Sequence, residues 1–156
     1  DRPTTFELRA VMDLVAARFM GRLEESGLEL RLSVNTGPLV EGFPAAISMI
    51  MENLIGNALD HAFANGRKGT VTIESGVADE LVRICVSDDG CGMDQSVQDR
   101  IWEPFFTTRR DEGFMGLGLF VVHNLVTGKL NGKVRCTSTP GAGSSLCLEF
   151  PANVAI

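Results

Sequence analysis

The sequence predicts an α+β sandwich: a mixed, mostly antiparallel sheet with helices on one face. Three observations carry this. Helical spacings and β-rich runs follow in the order helix, strand, helix, two strands, loop, helix, two strands. The paired strands are joined by short turns, which implies antiparallel hairpins. Helices and strands interleave only partly, unlike the strict alternation of a parallel α/β sheet. The 156 residues suit one domain with a sizeable core, and 44% hydrophobic with 22% charged residues is ordinary for a folded chain.

The elements can be placed in turn. In "PTTFELRAVMDLVAARFMGRLEESG", Thr4 can cap a helix and Glu7 can complete a capping box. Leu8, Val11, Met12, Val15 and Phe19 keep helical spacing, and Gly27 is a stop. Leu28 to Val34 alternates as a half-buried strand does. "TGPLVEGF" is turn-rich, and a second helix is expected from Pro44 to Ala64. "GTVTIESGV" and "ELVRICVSD" form a hairpin about "ADE". A short helix from Gln95 to Trp102 precedes the loop "PFFTTRRDEGFM", and a third long helix runs from Leu117 to Leu130. "GKVRCTST" and "SSLCLEF" close the chain around "PGAG".

A net charge of −6 argues against a general nucleic-acid binder, which carries a basic face. No apolar run reaches the ~20 residues of a membrane span, so this domain itself is expected to make no direct membrane contact. The chain opens on Asp1, without a methionine or a signal peptide, and reads as a piece of a longer protein whose parent can still be membrane-anchored. None of Cys85, Cys91, Cys136 and Cys147 has zinc-ligand spacing. Three lie in strand-like segments, where cysteine is a small buried hydrophobe, so a reduced, cytoplasmic setting without disulfides is expected.

Four stretches can carry chemistry. Asn53, Asn57 and Asp60 share one face of the second helix, while Ile47, Met51, Leu54, Ile55 and Ala58 suit a core. Asparagine is a mediocre helix former. Stacked mid-helix, the two are either a solvated face or pocket-lining carbonyl donors for a hard cation such as Mg²⁺. In "SDDGCGM", Asp88 ends a strand as a pure acceptor able to take an exocyclic amino group, and Gly90 and Gly92 permit a tight path beside a ligand. The aromatics of "WEPFFTTRR" are expected to wedge that loop onto the core. Thr107, Thr108, Arg109 and Arg110 can reach an anion. Gly113, Gly116 and Gly118 crowd the start of the third long helix, where backbone N–H groups attract anions.

"ENLIGNALDHA", "DDGCGM", "WEPFFTT", "GLGL" and "PGAGSSLCLEFP", in this order and spacing, resemble the ATP-binding catalytic domain of sensor histidine kinases. That domain lies within the superfamily that includes gyrase, Hsp90 and MutL. The resemblance covers nearly the whole chain and implies a Bergerat-type fold over residues 1–156. It implies Asn57 on Mg²⁺ bridging the ATP phosphates, Asn53 one turn earlier on the phosphate side with Asp60 on the same face, and His61 beside the adenine or ribose. Asp88 matches the aspartate that accepts the adenine amino group, with Gly90 and Gly92 shaping that end. Ser144 stands where the family often has threonine. Thr107 to Met115, with Thr108 and Arg109, match a lid over the triphosphate. Gly116, Leu117, Gly118 and Leu119 match the phosphate-facing helix start.

The resemblance further implies phosphoryl transfer by positioning and charge neutralisation. Gyrase- and Hsp90-like members carry a water-activating glutamate where this chain has Asn53; Glu52, one residue along, is expected to face elsewhere. The partners implied are a dimerisation domain bearing the phosphoacceptor histidine, absent from these residues, and a downstream response regulator. The family's Gly-Thr before Gly-Leu-Gly-Leu is replaced by Phe114 and Met115. That departure admits an alternative, a degenerate docking or phosphorelay module with little nucleotide use. A serine-kinase anti-sigma factor of the same superfamily fits the "PFFTT" stretch less well.

Overall fold

The computed structural model describes residues 2–35, 39–63, 66–110 and 115–155. Its frame is a five-stranded sheet in the order β2-β4-β5-β7-β6. The strands are β2 (Glu29–Val34), β4 (Thr70–Ala78), β5 (Leu81–Asp88), β6 (Lys133–Thr139) and β7 (Gly143–Pro151). β2 runs parallel to β4, and every other neighbouring pair in this sheet is antiparallel. The mixed, mostly antiparallel sandwich expected from the sequence is therefore the fold. Asp79 and Glu80 both take positive φ between β4 and β5, the geometry of a tight two-residue hairpin.

Alternation decides which face is covered. Val82, Ile84 and Val86 of β5 and Leu146, Leu148 and Phe150 of β7 are buried, together with Val71 and Ile73 of β4. They meet α1 (Leu8–Ser26), α2 (Pro44–Asn57) and α4 (Gly118–Asn124) in one core. α2 supplies Ile47, Ile50, Met51, Leu54 and Ile55, all fully buried. Both α2 and α4 continue as wider π-helical turns, Ala58–Ala62 and Leu125–Lys129. α3 is the short Gln95–Gln98, shorter than the sequence implied, capped by Asp94 accepting from the Val97 N–H at 3.0 Å. Hydrogen bonding to Ser96 and then to Val97 holds the Asp94 carboxyl below its ordinary pKa.

Three expectations are corrected. Thr4 does not cap α1. It lies in β1 (Thr4–Phe6), which pairs with β3 (Leu39–Gly42), itself paired with β8 (Asn153–Ala155). Glu7 occupies the cap position without a side-chain cap bond. This small second sheet was invisible because strands of three or four residues are too short to show a period. The thiols are not all reduced: Cys85 and Cys147 form a disulfide. Antiparallel register sets them directly opposite each other although they are 62 residues apart, and register cannot be read from spacing. Both lie on the sheet face away from the helices, since their strand neighbours Ile84 and Leu146 are buried. Finally, "WEPFF" does not pack as a unit. Trp102 lies against the core, but Phe105 is 53% exposed with φ 66°.

Leu54 is fully buried between the helix layer and the sheet. Leu54→Ala is expected to cost about 2–5 kcal/mol in denaturant unfolding.

Candidate nucleotide site

The polar face of α2 and the ends of β5 and β7 enclose a cleft of about 480 Å³. Asn53, Asn57, Asp60 and His61 line one wall, Asp88, Gly92 and Ser144 the floor, and Thr107, Thr108, Gly116, Leu117, Gly118 and Leu119 the far side. Residues spread over 92 positions of sequence thus converge on one concavity, which is where ligand sites are found. Two expected residues, Gly90 and Arg109, do not line the cleft. Gly90 packs instead on the end of α2: a Cβ there would sit 2.3 Å from the Ala62 carbonyl oxygen. The Arg109 N–H donates to Thr107 Oγ1 at 3.1 Å, which shapes the loop rather than the cavity.

Asp88 is built into place by backbone. Its Oδ1 accepts the Gly90 N–H at 2.9 Å and the Ser144 N–H at 3.3 Å. Ser144 is its cross-strand partner, so β5–β7 pairing itself sets this contact. Burial raises the carboxyl's pKa above the ordinary aspartate value; the Gly90 and Ser144 bonds oppose that, and nearby Asp89 adds to it. Both backbone bonds fall on Oδ1, so Oδ2 keeps acceptor capacity for a ligand N–H. Around it, the Cys91 N–H donates to the Ala62 carbonyl at 2.9 Å, and the Gly141 N–H to the Cys91 carbonyl at 2.7 Å. Gly92 has φ 69°, and a Cβ would meet the Thr139 carbonyl oxygen at 2.1 Å, so the path between these walls requires glycine. Ser138, which sequence reading did not single out, binds three groups. It accepts the Met93 N–H at 2.8 Å, lies 2.7 Å from Ser144 Oγ and donates to the Gly143 carbonyl at 3.0 Å. Its signal was the alternation of β6, which puts residue 138 on the same face as Cys136. Burial there, and then Asp88, push the Cys136 thiol up to about 11.

The opposite end is lined by amides and glycines. The Asn53 side-chain amide donates to the Met49 carbonyl at 2.9 Å, which turns its oxygen toward Gly118. A Cβ on Gly118 would lie 3.1 Å from that oxygen. Gly116 has φ 73°, and its Cβ would strike the Phe106 carbonyl oxygen at 2.5 Å. The Phe105 N–H donates to the Gly116 carbonyl at 2.9 Å, so this contact pinches the neck of the segment carrying Thr107 and Thr108. Gly113 and Phe114 lie outside the described residues; Met115 lines the cleft and is 59% exposed. Among the described residues no group of three or more His, Cys, Asp or Glu side chains could hold a metal. The Asn53 and Asn57 side-chain amides supply oxygens of the type a hard cation such as Mg²⁺ could take, since that ion needs few protein ligands.

Glu52 departs from expectation. It lines the cleft, though its carboxylate is engaged by Arg18 of α1. Asp60 is held likewise by Arg22. The π-helical turn Ala58–Ala62 widens the helix where Asp60 and His61 sit, so ideal 3.6-residue spacing no longer fixes their direction.

Residues 42–154 match the family described as histidine kinase-, DNA gyrase B- and HSP90-like ATPase. The chain is 34% identical over 128 residues to the sensor histidine kinase ZraS of Escherichia coli, covering 81% of the chain and 26% of ZraS. It is 30% identical to the sensor protein TorS of the same species, covering 96% and 16%. It thus spans about a quarter or less of these relatives. Its fold is that of histidine kinase catalytic domains. The nucleotide-free catalytic domain of ThkA superposes with a TM-score of 0.84 at 25% identity, over 97% of this chain and 96% of that one. Full-length ShkA in complex with AMPPNP superposes at 0.86 and 26%, over 98% and 32%.

Removing the charge of Asp88 separates binding from folding. Because its folded-state pKa is raised, ionising it costs stability as pH climbs from the unfolded pKa through the folded one, and the cost persists above. Asp88→Asn is therefore expected to leave Tm at neutral pH unchanged or higher and to weaken any ligand that donates an N–H to Oδ2, read by calorimetry with ATP, because an amide N–H₂ would face that donor.

Proposed function

The chain belongs to the histidine kinase-, DNA gyrase B- and HSP90-like ATPase family, and on that footing we propose that it binds ATP with Mg²⁺ and supplies the γ-phosphoryl group to a histidine on a separate dimerisation domain. The observation that carries this reading is Asp88, a half-buried carboxylate fixed by two backbone N–H groups on the floor of a cleft walled by Asn53 and Asn57. Oδ2 of Asp88 accepts the adenine amino group. Asn57 holds Mg²⁺ through its amide oxygen, with Asn53 beside it on the phosphate side. Gly116 and Gly118 let backbone approach the phosphates closely. When bound, Mg²⁺ neutralises charge on the transferring group. His61 lies beside the adenine or ribose.

Residue 53 is an amide where hydrolysing relatives of the superfamily carry a glutamate base. Glu52 is tied to Arg18 and so is not a substitute base. The site accordingly retains ATP for transfer rather than spending it on water. Phe105, held outward at positive φ, and Met115 place apolar surface beside the nucleotide segment, where the acceptor domain would dock. The neighbour solved as ThkA with the response regulator TrrA is a fold likeness of TM-score 0.80; a response regulator as downstream partner is part of this proposal.

Incubation of the 156-residue chain with radiolabelled ATP and Mg²⁺ tests the reading. No acid-labile label is expected on the chain alone, because His61 and His123 are its only histidines and both lie in the nucleotide-binding part. Label is expected on an added dimerisation domain carrying a phosphoacceptor histidine. Stable label on His61 or His123, or ATP binding too weak to detect, contradicts it. The second of those results is what the degenerate docking module predicts.

A further inference from the structure

The charge balance of the cleft is unusual for a polyphosphate site. Among the described residues it is lined by four carboxylates, Glu52, Asp60, Asp88 and Asp94, and by no lysine or arginine. Two of the four have work elsewhere. Asp88 sits at the floor on backbone bonds, and Asp94 caps α3. Glu52 of α2 and Asp60 of the π-helical turn that follows it remain, flanking Asn53 and Asn57 in sequence at the end assigned to the phosphates. Unscreened, they would repel a triphosphate at close range.

α1 supplies the remedy. Arg18 and Arg22 are four residues apart and so share one face of that helix. Arg18 pairs with Glu52, and Arg22 donates from Nη2 to Asp60 Oδ1. The Arg22–Asp60 pair is the less exposed of the two, with Asp60 at 24% side-chain exposure against 36% for Glu52. Less solvent leaves more of the Coulomb interaction unscreened. Neither arginine lines the cleft, so each acts through its acid.

We propose that Arg22, seconded by Arg18, is a positioning residue for the nucleotide: its guanidinium holds the Asp60 carboxylate and cancels its charge at the phosphate end of the cleft. The first long helix thereby takes part in ligand selection although it contributes no residue to the cavity wall. This rests on the nucleotide reading above. It deepens that reading by making affinity depend on the ligand's charge through a pair outside the site.

The test is calorimetry of the 156-residue chain with Mg²⁺ and ATP, ADP or AMP, comparing wild type with Arg22→Gln, Arg22→Lys and the Arg22→Gln/Asp60→Asn double variant. Arg22→Gln is expected to weaken ATP by about three- to tenfold, ADP less and AMP least, following ligand charge. Arg22→Lys keeps most of the affinity. The double variant returns ATP to within about twofold of wild type, because the uncompensated carboxylate is gone. An equal loss for all three nucleotides, no loss at all, or no recovery in the double variant overturns the proposal while leaving the nucleotide reading standing. Wild type binding none of the three overturns both.

Discussion

The cleft depends on one pairing, that of β5 with β7. Their register brings Asp88 opposite Ser144 and so delivers a backbone N–H to the carboxylate from across the sheet. The same register stacks Ile84 on Leu148 and Val86 on Leu146 beneath the helices. Core and site therefore share one constraint: a slip of one residue would turn every buried side chain outward and strip Asp88 of its partner at once. The Cys85–Cys147 disulfide fastens the same two strands on the open face.

α2 is the second organiser. One side carries Ile47, Ile50, Met51, Leu54 and Ile55, all fully buried, and the other carries Asn53 and Asn57. Burying the first side against the sheet aims the second into the cleft, so hydrophobic packing pre-orients the polar wall. The wider turn that ends α2 then stitches onto the Asp88–Gly92 loop through Ala62 and Cys91. Rigid elements thus hold the Asp88 end of the cleft. The Asn53 end is bounded by Gly116 and Gly118, with the Phe105 N–H bonded to the Gly116 carbonyl.

Much of this was legible in the amino-acid order. Hairpins and amphipathic helices declare themselves by period, and the five-stranded sheet and the long helices follow those periods, whereas the short α3 stops at Gln98. Asn53, Asn57, Asp88 and Gly116 stood out because each is a poor choice for its local element unless something else is served. What was hidden is non-local. The pairing of Cys85 with Cys147 and of Ser138 with Ser144 follows from register. The reach of Arg18 and Arg22 to Glu52 and Asp60 follows from how α1 crosses α2. Gly90 does not line the cavity itself; it packs on Ala62 while its N–H holds Asp88, a pairing that only the folded loop reveals. β1, β3 and β8 escaped because each is too short for alternation to show.

Recognition of an adenine amino group by a backbone-anchored Asp88 is the central claim, and a comparison of ATP with GTP, each titrated with Mg²⁺ into the same chain, tests it most directly. Guanine presents a carbonyl where adenine presents an amino group, so the carboxylate would face another acceptor. ATP is expected to bind in the micromolar range and GTP at least about tenfold more weakly. Equal affinity for the two would contradict the role given to Asp88.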